Sequence, residues 1–194
     1  MCHHDRVTRV LAVVVLVVAA GLLSGCASDR PTAPRATAAA SPQTAELDWD
    51  ERTPATGPGL VFRASRLEVT KRGWEVEVEI HNQTSIAYAL ATDPVAVARH
   101  FGLMLFATGT LGELEQRNAD RELPGIRSAR TFDPPLPTRL RPGARWRGTI
   151  GAEGALAAGR FVRVVFGPLV AEEDAGPLPD QLVWITDHAY RLRG

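Results

Sequence analysis

The feature that most constrains the fold of this chain is the strict alternation of residues 74–80, WEVEVEI. Large apolar side chains occupy the even positions and glutamates the odd ones: Trp74, Val76, Val78 and Ile80 against Glu75, Glu77 and Glu79. Successive side chains of a strand point to opposite faces, so one face of this segment is apolar and the other acidic. The pattern predicts a half-buried antiparallel strand with its glutamates in water.

A second strand is predicted immediately before it, at residues 60–70. Its alternation slips near Ser65–Arg66, which indicates a β-bulge. The sequence KRG at 71–73 joins the two strands as a short hairpin loop, in which we expect Gly73 to adopt a positive φ.

Later segments also have the sequence patterns of strands. Strands are predicted at 101–108, 144–150, 160–166 and 180–193, with GPL at 167–169 as an interruption. The proline-rich residues 132–140 are expected at a sheet edge, because proline cannot donate to a ladder. Residues 109–125 predict a long loop with a short, uncapped helix at most.

These signals together predict an all-β fold, an antiparallel sandwich of about seven or eight strands over residues 60–194. The segments LRPGARWRGTI (140–150) and LAAGRFVRVVFGP (156–168) resemble the immunoglobulin-like accessory domains of bacterial surface lipoproteins. The resemblance implies an immunoglobulin-like sandwich and an accessory role, and it carries no catalytic motif.

The amino terminus has the pattern of an export signal. Arg6 and Arg9 precede fourteen uncharged residues at 10–23, which is typical of a secretory signal peptide over residues 1–25. The alternative, an uncleaved membrane anchor, needs about 20 residues.

The exit from this segment resembles the lipobox of bacterial lipoproteins, formed here by Leu23, Ser24, Gly25 and Cys26. The resemblance implies cleavage between Gly25 and Cys26 and a diacylglyceryl group on the Cys26 thiol, which anchors the chain to the membrane. Cys2 leaves with the signal, so we expect no intrachain disulfide in the mature chain.

Residues 26–59 are rich in proline, threonine and alanine and predict a disordered tether behind the lipidated cysteine. One stretch differs, ELDWDE at 46–51. Trp49 there either docks back on the domain, binds a partner or stands in a solvated acidic patch.

Charge and composition restrict the partners. The chain carries 22 basic and 22 acidic residues, a balance that argues against a nucleic-acid-binding protein. Lys71 is the single lysine, and this arginine bias resembles the composition of a GC-rich, actinobacterial genome.

No reactive motif stands out. The sequence has no G-x-S-x-G, and its serines and histidines occur in undistinguished contexts; the candidates are Ser65, Ser85, Ser128, His81, His100 and His188. The spacing of histidines and acids fits no metal site. We therefore predict no catalytic, cofactor-binding or metal-binding residues and a protein that is not an enzyme.

Arginines are concentrated in residues 117–147, where eight occur. We predict that Arg139, Arg141, Arg145 and Arg147 form a binding face for anionic lipid headgroups, an acidic envelope polymer or a membrane protein.

The sequence thus predicts a lipid-anchored, non-enzymatic sandwich outside the cell that binds an envelope protein or polymer. Two alternatives are open. One is a small-ligand-binding lipoprotein associated with a transporter. The other is a protease inhibitor that inserts a loop, with FDPPLP (132–137) as the candidate loop.

Overall fold

Two antiparallel sheets pack face to face in the computed structural model, which describes residues 38–90, 101–172, 174, 176 and 180–194. The predicted all-β, immunoglobulin-like sandwich class is confirmed. The predicted signal peptide, lipobox and Cys26 lie outside the described residues, as does His100.

The first sheet has five strands in the order β1-β2-β3-β9-β7. They are β1 (Gln43–Thr53), β2 (Leu60–Val69), β3 (Gly73–Asn82), β9 (Arg145–Glu153) and β7 (Thr131–Asp133). The proline-rich segment therefore lies at the edge of this sheet, as predicted, because β7 pairs only with β9.

The second sheet has seven strands built around one long strand, β10 (Phe161–Ala171). The others are β4 (Tyr88–Leu90), β5 (Gly102–Phe106), β6 (Arg127–Ser128), β8 (Arg139–Leu140), β11 (Gln181–Ile185) and β12 (Tyr190–Arg191). Four of them, β4, β5, β11 and β12, pair directly with β10. One helix, α1 (Leu111–Ala119), joins β5 to β6.

The β2–β3 hairpin follows the prediction closely. Ala64 pairs with Val78 and Arg66 with Glu77, which places the predicted bulge at Ser65. The reason given for Gly73 is wrong, since its φ is not positive. A side chain is excluded there by a close approach, because a Cβ at Gly73 would lie 2.4 Å from the carbonyl oxygen of Ala152.

The apolar face of β3 is buried as predicted, but its acidic face is not uniformly in water. Glu75 is exposed, whereas Glu79 is only 8% exposed. Arg63 and Arg145 flank Glu79 on the neighbouring strands, each with a guanidinium nitrogen 3.5 Å from its carboxylate. These long side chains cover the carboxylate and compensate its charge.

The predicted disordered tether over residues 26–59 is wrong for its second half. Strand β1 pairs with β2 along its length, and Ala45, Leu47 and Trp49 are buried. The polar and threonine-containing composition of this segment indicated disorder, although its apolar residues alternate at odd positions. The segment forms a strand because it pairs with β2. The sandwich begins at residue 38 rather than 60, and residues 26–37 lie outside the described part.

Three smaller predictions also need correction. Strand β10 continues through GPL by means of a bulge between Phe166 and Leu169. The described residues form twelve strands, several of them only two or three residues long, where about seven or eight were predicted. The helix is capped, because the side chain of Thr110 accepts a hydrogen bond from the amide of Glu113.

Two apolar clusters hold these layers together. The larger fills the space between the sheets and contains stacked Phe62, Phe166 and Trp184, with ring centroids 4.5–5.9 Å apart. The smaller lies on the other side of the second sheet, where Leu114 of α1 packs with Phe106 and Val165. The helix is therefore fixed by packing as well as by its cap.

Candidate functional site

The amino-terminal segment enters the sandwich at one defined end, which we call the entry end. Four segments meet there: residues 38–42, 70–72, 154–160 and 192–194. The amides of Ala40 and Ser41 donate to the carbonyls of Leu156 and Arg193, at 2.7 and 3.0 Å. The amide of Gly154 donates to the carbonyl of Arg72 at 2.7 Å, which ties the hairpin loop to the same end.

Three adjoining clefts open at the entry end. The largest, of about 660 Å³, contains Trp74, Arg130 and Glu153 in its walls. The second, of about 260 Å³, shares these three residues. The third, of about 380 Å³, shares Arg127 with the second and includes Ala157, the residue that bridges to Ala39.

The third cleft is the candidate site, and we call it the arginine cleft. Its walls contain three arginines and no acidic residue. The lining residues are Leu105, Ala107, Arg117, Pro124, Gly125, Arg127, Ala157 and Arg160. A concave surface lined by guanidinium groups without carboxylates suits an anion with several oxygen acceptors.

Arg117 is positioned by the first turn of α1. The carboxylate of Glu113 accepts hydrogen bonds from the amides of Ala107 and Thr108, at 3.2 and 2.6 Å. It also accepts from Nε of Arg117 at 3.0 Å, in an i,i+4 ion pair. Partial burial acts to raise the pKa of Glu113, but the hydrogen bonds from Thr108, Arg117 and Ala107 outweigh it and lower that pKa to about 2.

Arg127 and Arg160 are positioned by the backbone of the second sheet. Arg127 begins β6 and lies against Gly102, where a Cβ would be 2.1 Å from the carbonyl oxygen of Arg127. The carbonyl of Arg160 accepts from the amide of Leu192 at 2.8 Å. Both side chains are exposed, and neither makes an ion pair within 4.0 Å among the described residues.

A buried arginine supports this region from beneath. Arg163 is fully buried in β10, and its guanidinium donates to the carbonyls of Gly109 and Thr110 and to those of Thr186 and Asp187, at 2.6–3.1 Å. Burial lowers the pKa of Arg163. No carboxylate of the described residues lies within 4.0 Å of this guanidinium. The side chain acts as a multiple donor that holds the loop before α1 and the loop after β11.

The larger cleft differs from the arginine cleft in its charge. Arg72 and Arg130 line it together with Glu68, Glu75 and Glu153. Basic and acidic side chains therefore compensate each other there, and the buried ring of Trp74 contributes to its wall.

The four arginines predicted as a binding face do not form one basic surface. Arg139 lies on β8 in the second sheet, where it is ion-paired with Glu172. Arg145 and Arg147 lie on β9 in the first sheet, opposite His81 and Glu79 respectively. Arg141 lies in the turn between β8 and β9. The sequence places these residues near each other, but the chain changes sheets between them and brings acids alongside.

The described candidates for a nucleophile and base are not brought together. His188 stacks on Trp49 and lies 3.3 Å from the Glu51 carboxylate, and Ser65 bonds to Glu77. His81 contacts Gln83 and Arg145 at 3.0 and 3.4 Å. Each of these side chains joins neighbouring strands or loops of the sandwich.

Trp49 docks back on the domain, one of the three predicted readings. It is 8% exposed and packs in the main cluster. Two residues later, the Glu51 carboxylate accepts from Nε1 of Trp184 at 2.7 Å and from the amide of Asp187 at 2.8 Å. Strand β1 of the first sheet is thereby joined to the second sheet.

Sequence reasoning missed the cap of α1 and the role of Arg163. A signal for the first was present, because Thr110-Leu-Gly-Glu113 has the T-x-x-E spacing of a capping box. A signal for the second was the lone charge in FVRVVF, 161–166. No spacing in the sequence indicates that Arg117, Arg127 and Arg160 share a cleft, since β5, β6 and β10 are separated along the chain.

Within the described ranges, no group of three histidine, cysteine or acidic side chains is arranged to hold a metal ion. In the same part of the chain, no helix has the length and apolar character needed to cross a membrane. No protein-family model matches the sequence, and no curated protein or solved structure matches it significantly.

Proposed function

We propose that this chain is a lipid-anchored, non-enzymatic β-sandwich protein that faces the extracytoplasmic side of the cell membrane and serves a binding or accessory role there. The observation that carries the proposal is the position of Leu23-Ser24-Gly25-Cys26. This sequence follows directly after an apolar run and lies only twelve residues before the first described residue, Ala38.

This spacing is what an anchored domain requires. The described sandwich begins at residue 38, so cleavage before Cys26 removes none of its strands. Two acyl chains on one cysteine give stable membrane attachment, since each buried methylene contributes about 0.8 kcal/mol. The thioether also removes a free thiol that an exported protein would otherwise expose to oxidation.

A binding role is supported by a difference between two sets of polar side chains, those that join strands or loops and those that lie exposed in a cleft. His81, His188 and Ser65 join strands or loops, whereas Arg127 and Arg160 lie exposed in a cleft. The exposed cations are suited to recognition rather than to proton transfer at neutral pH, because arginine stays protonated.

Among the alternatives, small-ligand binding is supported by the cleft at Trp74, whose volume of about 660 Å³ lies within the range of ligand pockets. Loop insertion into a protease is less well supported. Phe132 and Leu136 of FDPPLP pack against the main apolar cluster, which holds the segment to the domain.

Lipidation is tested by growing cells with a clickable palmitate analogue. We expect the wild-type chain to incorporate label and to sediment with membranes. The Cys26→Ala variant should lose both properties, and Cys2→Ala serves as the matched control that keeps them. Labelling of the Cys26→Ala variant, or its absence from the wild type, would contradict the proposal.

A further inference from the structure

We infer that the arginine cleft binds anionic phospholipid headgroups and holds the entry end of the sandwich against the membrane surface. The inference rests on the proposed function, because the lipid on Cys26 is what brings the domain to the bilayer. It adds a second contact with the membrane, made by Arg127 and Arg160, beside which Glu113 holds Arg117 in an ion pair.

The chain between Cys26 and the sandwich is short. Eleven residues lie between Cys26 and Ala38. An extended chain spans at most about 3.3–3.6 Å per residue, or roughly 40 Å for the twelve steps from Cys26 to Ala38. Ala39 bridges directly to Ala157, a wall residue of the arginine cleft. The anchor therefore keeps the end of the sandwich that carries this cleft within roughly 40 Å of the lipid headgroups.

A second observation is the charge at the entry end. Besides the cleft, this end exposes further cations on its other loops, namely Lys71, Arg72, Arg130 and Arg193. Among the described residues none of these four makes an ion pair within 4.0 Å. Acidic residues at this end line the larger cleft and not the arginine cleft; they are Glu68, Glu75 and Glu153.

A third observation is the charge at the opposite end, where β10 finishes and β11 begins. Glu172, Asp174 and Asp180 lie in or beside that connection. Arg139 there is neutralised by Glu172. The exposed Arg52 and Arg141 offset the two aspartates, so this end has no excess of positive charge. An anionic bilayer therefore attracts the entry end more strongly than the opposite end, and the entry end is also the one to which the anchored segment connects.

The chemistry of the cleft fits a phosphodiester. Guanidinium groups donate hydrogen bonds in pairs to phosphate oxygens and lose hydration more readily than ammonium groups. The cleft walls otherwise consist of Leu105, Ala107, Pro124, Gly125 and Ala157. These apolar or small residues leave room for the glycerol backbone beside the phosphate.

The test uses the mature chain, residues 26–194, with Cys26→Ser, so that vesicle binding reports the protein surface alone. All described contacts lie from residue 38 onward, so this chain keeps them. Flotation is measured with phosphatidylcholine vesicles that contain or lack phosphatidylglycerol. We expect binding only to the anionic vesicles, and weaker binding at high salt.

Two double variants of equal charge change locate the contact. Arg127→Gln/Arg160→Gln should lower the partition coefficient about 25-fold, because each basic residue at an anionic surface contributes a factor of about five. Arg141→Gln/Arg147→Gln, on the surface predicted from sequence, should leave it near the parent value. If the first variant loses its fold, Arg127→Lys/Arg160→Lys provides the comparison: it keeps the charge but should bind the anionic vesicles more weakly than the parent, because an ammonium group cannot donate in pairs to a phosphate. Binding equal to that of the parent would contradict recognition by the cleft.

Three results would overturn the inference: equal loss in the two glutamine variants, equal binding to both kinds of vesicle, or binding to purified acidic wall polymer in place of phosphatidylglycerol vesicles. The outcome is independent of lipidation, since the tested chain has no acylated cysteine. A negative flotation result with normal palmitate labelling would reject this inference and leave the proposed function intact.

Discussion

Glu113 shows how one side chain organises the candidate site. Its amide donates to the side chain of Thr110. Its carboxylate accepts from the amides of Ala107 and Thr108 and from Nε of Arg117. A carboxylate that accepts several hydrogen bonds is favoured in its charged form. The same interactions that lower its pKa to about 2 therefore hold one wall of the arginine cleft.

This arrangement predicts a pH dependence of stability. The folded-state pKa of Glu113 lies below the ordinary value of 4.5, so its contribution is complete above about pH 4.5 and is lost as pH falls toward 2. Glu113→Gln should lower the free energy of unfolding by about 1–2 kcal/mol at pH 7, through the weakened cap and ion pair. Near pH 2 the variant and the wild type should have similar stability.

Urea unfolding at pH 7 and at low pH measures this difference. Glu115→Gln is the matched control, since Glu115 is exposed on the same helix and makes no ion pair among the described residues. A Glu113→Gln deficit that stays constant down to pH 2 would show that the carboxylate does not act through its charge.

Arg163 shows how a buried charge is tolerated in a sheet. Its donors face backbone carbonyls of two loops, and its guanidinium lies 5.4 Å from the centroid of Phe106. Hydrogen bonds and the aromatic face compensate part of the lost hydration. Its side chain therefore positions the loop that precedes α1.

At the scale of elements, β1 decides where the domain begins. It pairs with β2 in the first sheet and, through Trp49 and Glu51, contacts the loop after β11 in the second. A register shift between Glu46 and Trp49 adds one residue to β1 relative to β2. The extra residue matches the bulge of β2 at Ser65. Ala45 and Trp49, on the same face of β1, therefore pair with the buried Leu67 and Ala64.

We predict that the sandwich requires β1. Trp49→Ala should destabilise the domain by about 3–5 kcal/mol, the usual cost of truncating a buried tryptophan. Glu46→Ala, at an exposed position on the same strand, should change stability little. A chain that starts at residue 60 should fail to give the cooperative unfolding transition of a chain that starts at residue 36.

Cooperative unfolding of the shorter chain, with the same denaturant midpoint, would contradict this role for β1. Equal effects of Trp49→Ala and Glu46→Ala would contradict it as well.

Elements with a clear local sequence pattern could be predicted, whereas elements that depend on distant parts of the chain could not. The β2–β3 hairpin and the bulge at Ser65 could be predicted because alternation and its slip are visible in the sequence. Strand β1 was missed because its buried side chains gain their partners from β2 and β11, far along the chain. The arginine cleft could not be predicted, since only the pairing of β5 with both β6 and β10 brings Arg127 near Arg160.

At the scale of the whole molecule, the charges are arranged by end rather than by strand. Exposed cations exceed acids where the chain enters the sandwich, whereas at the end where β10 meets β11 the acids are balanced by Arg52, Arg139 and Arg141. Arg139 and Arg145, which are neighbours in the sequence, are ion-paired with Glu172 and Glu79. We therefore expect one orientation of the domain on the membrane, with the entry end toward the lipid.

In-cell photo-crosslinking of the full-length chain tests this orientation, with Cys26 intact and a photoreactive residue placed at position 160 or at position 141. We expect lipid adducts from position 160 and few or none from position 141, and we expect the difference to be lost in the Cys26→Ala variant. Lipid adducts of equal yield from both positions, or from position 141 alone, would contradict a sandwich anchored at Cys26 with its arginine cleft against the membrane.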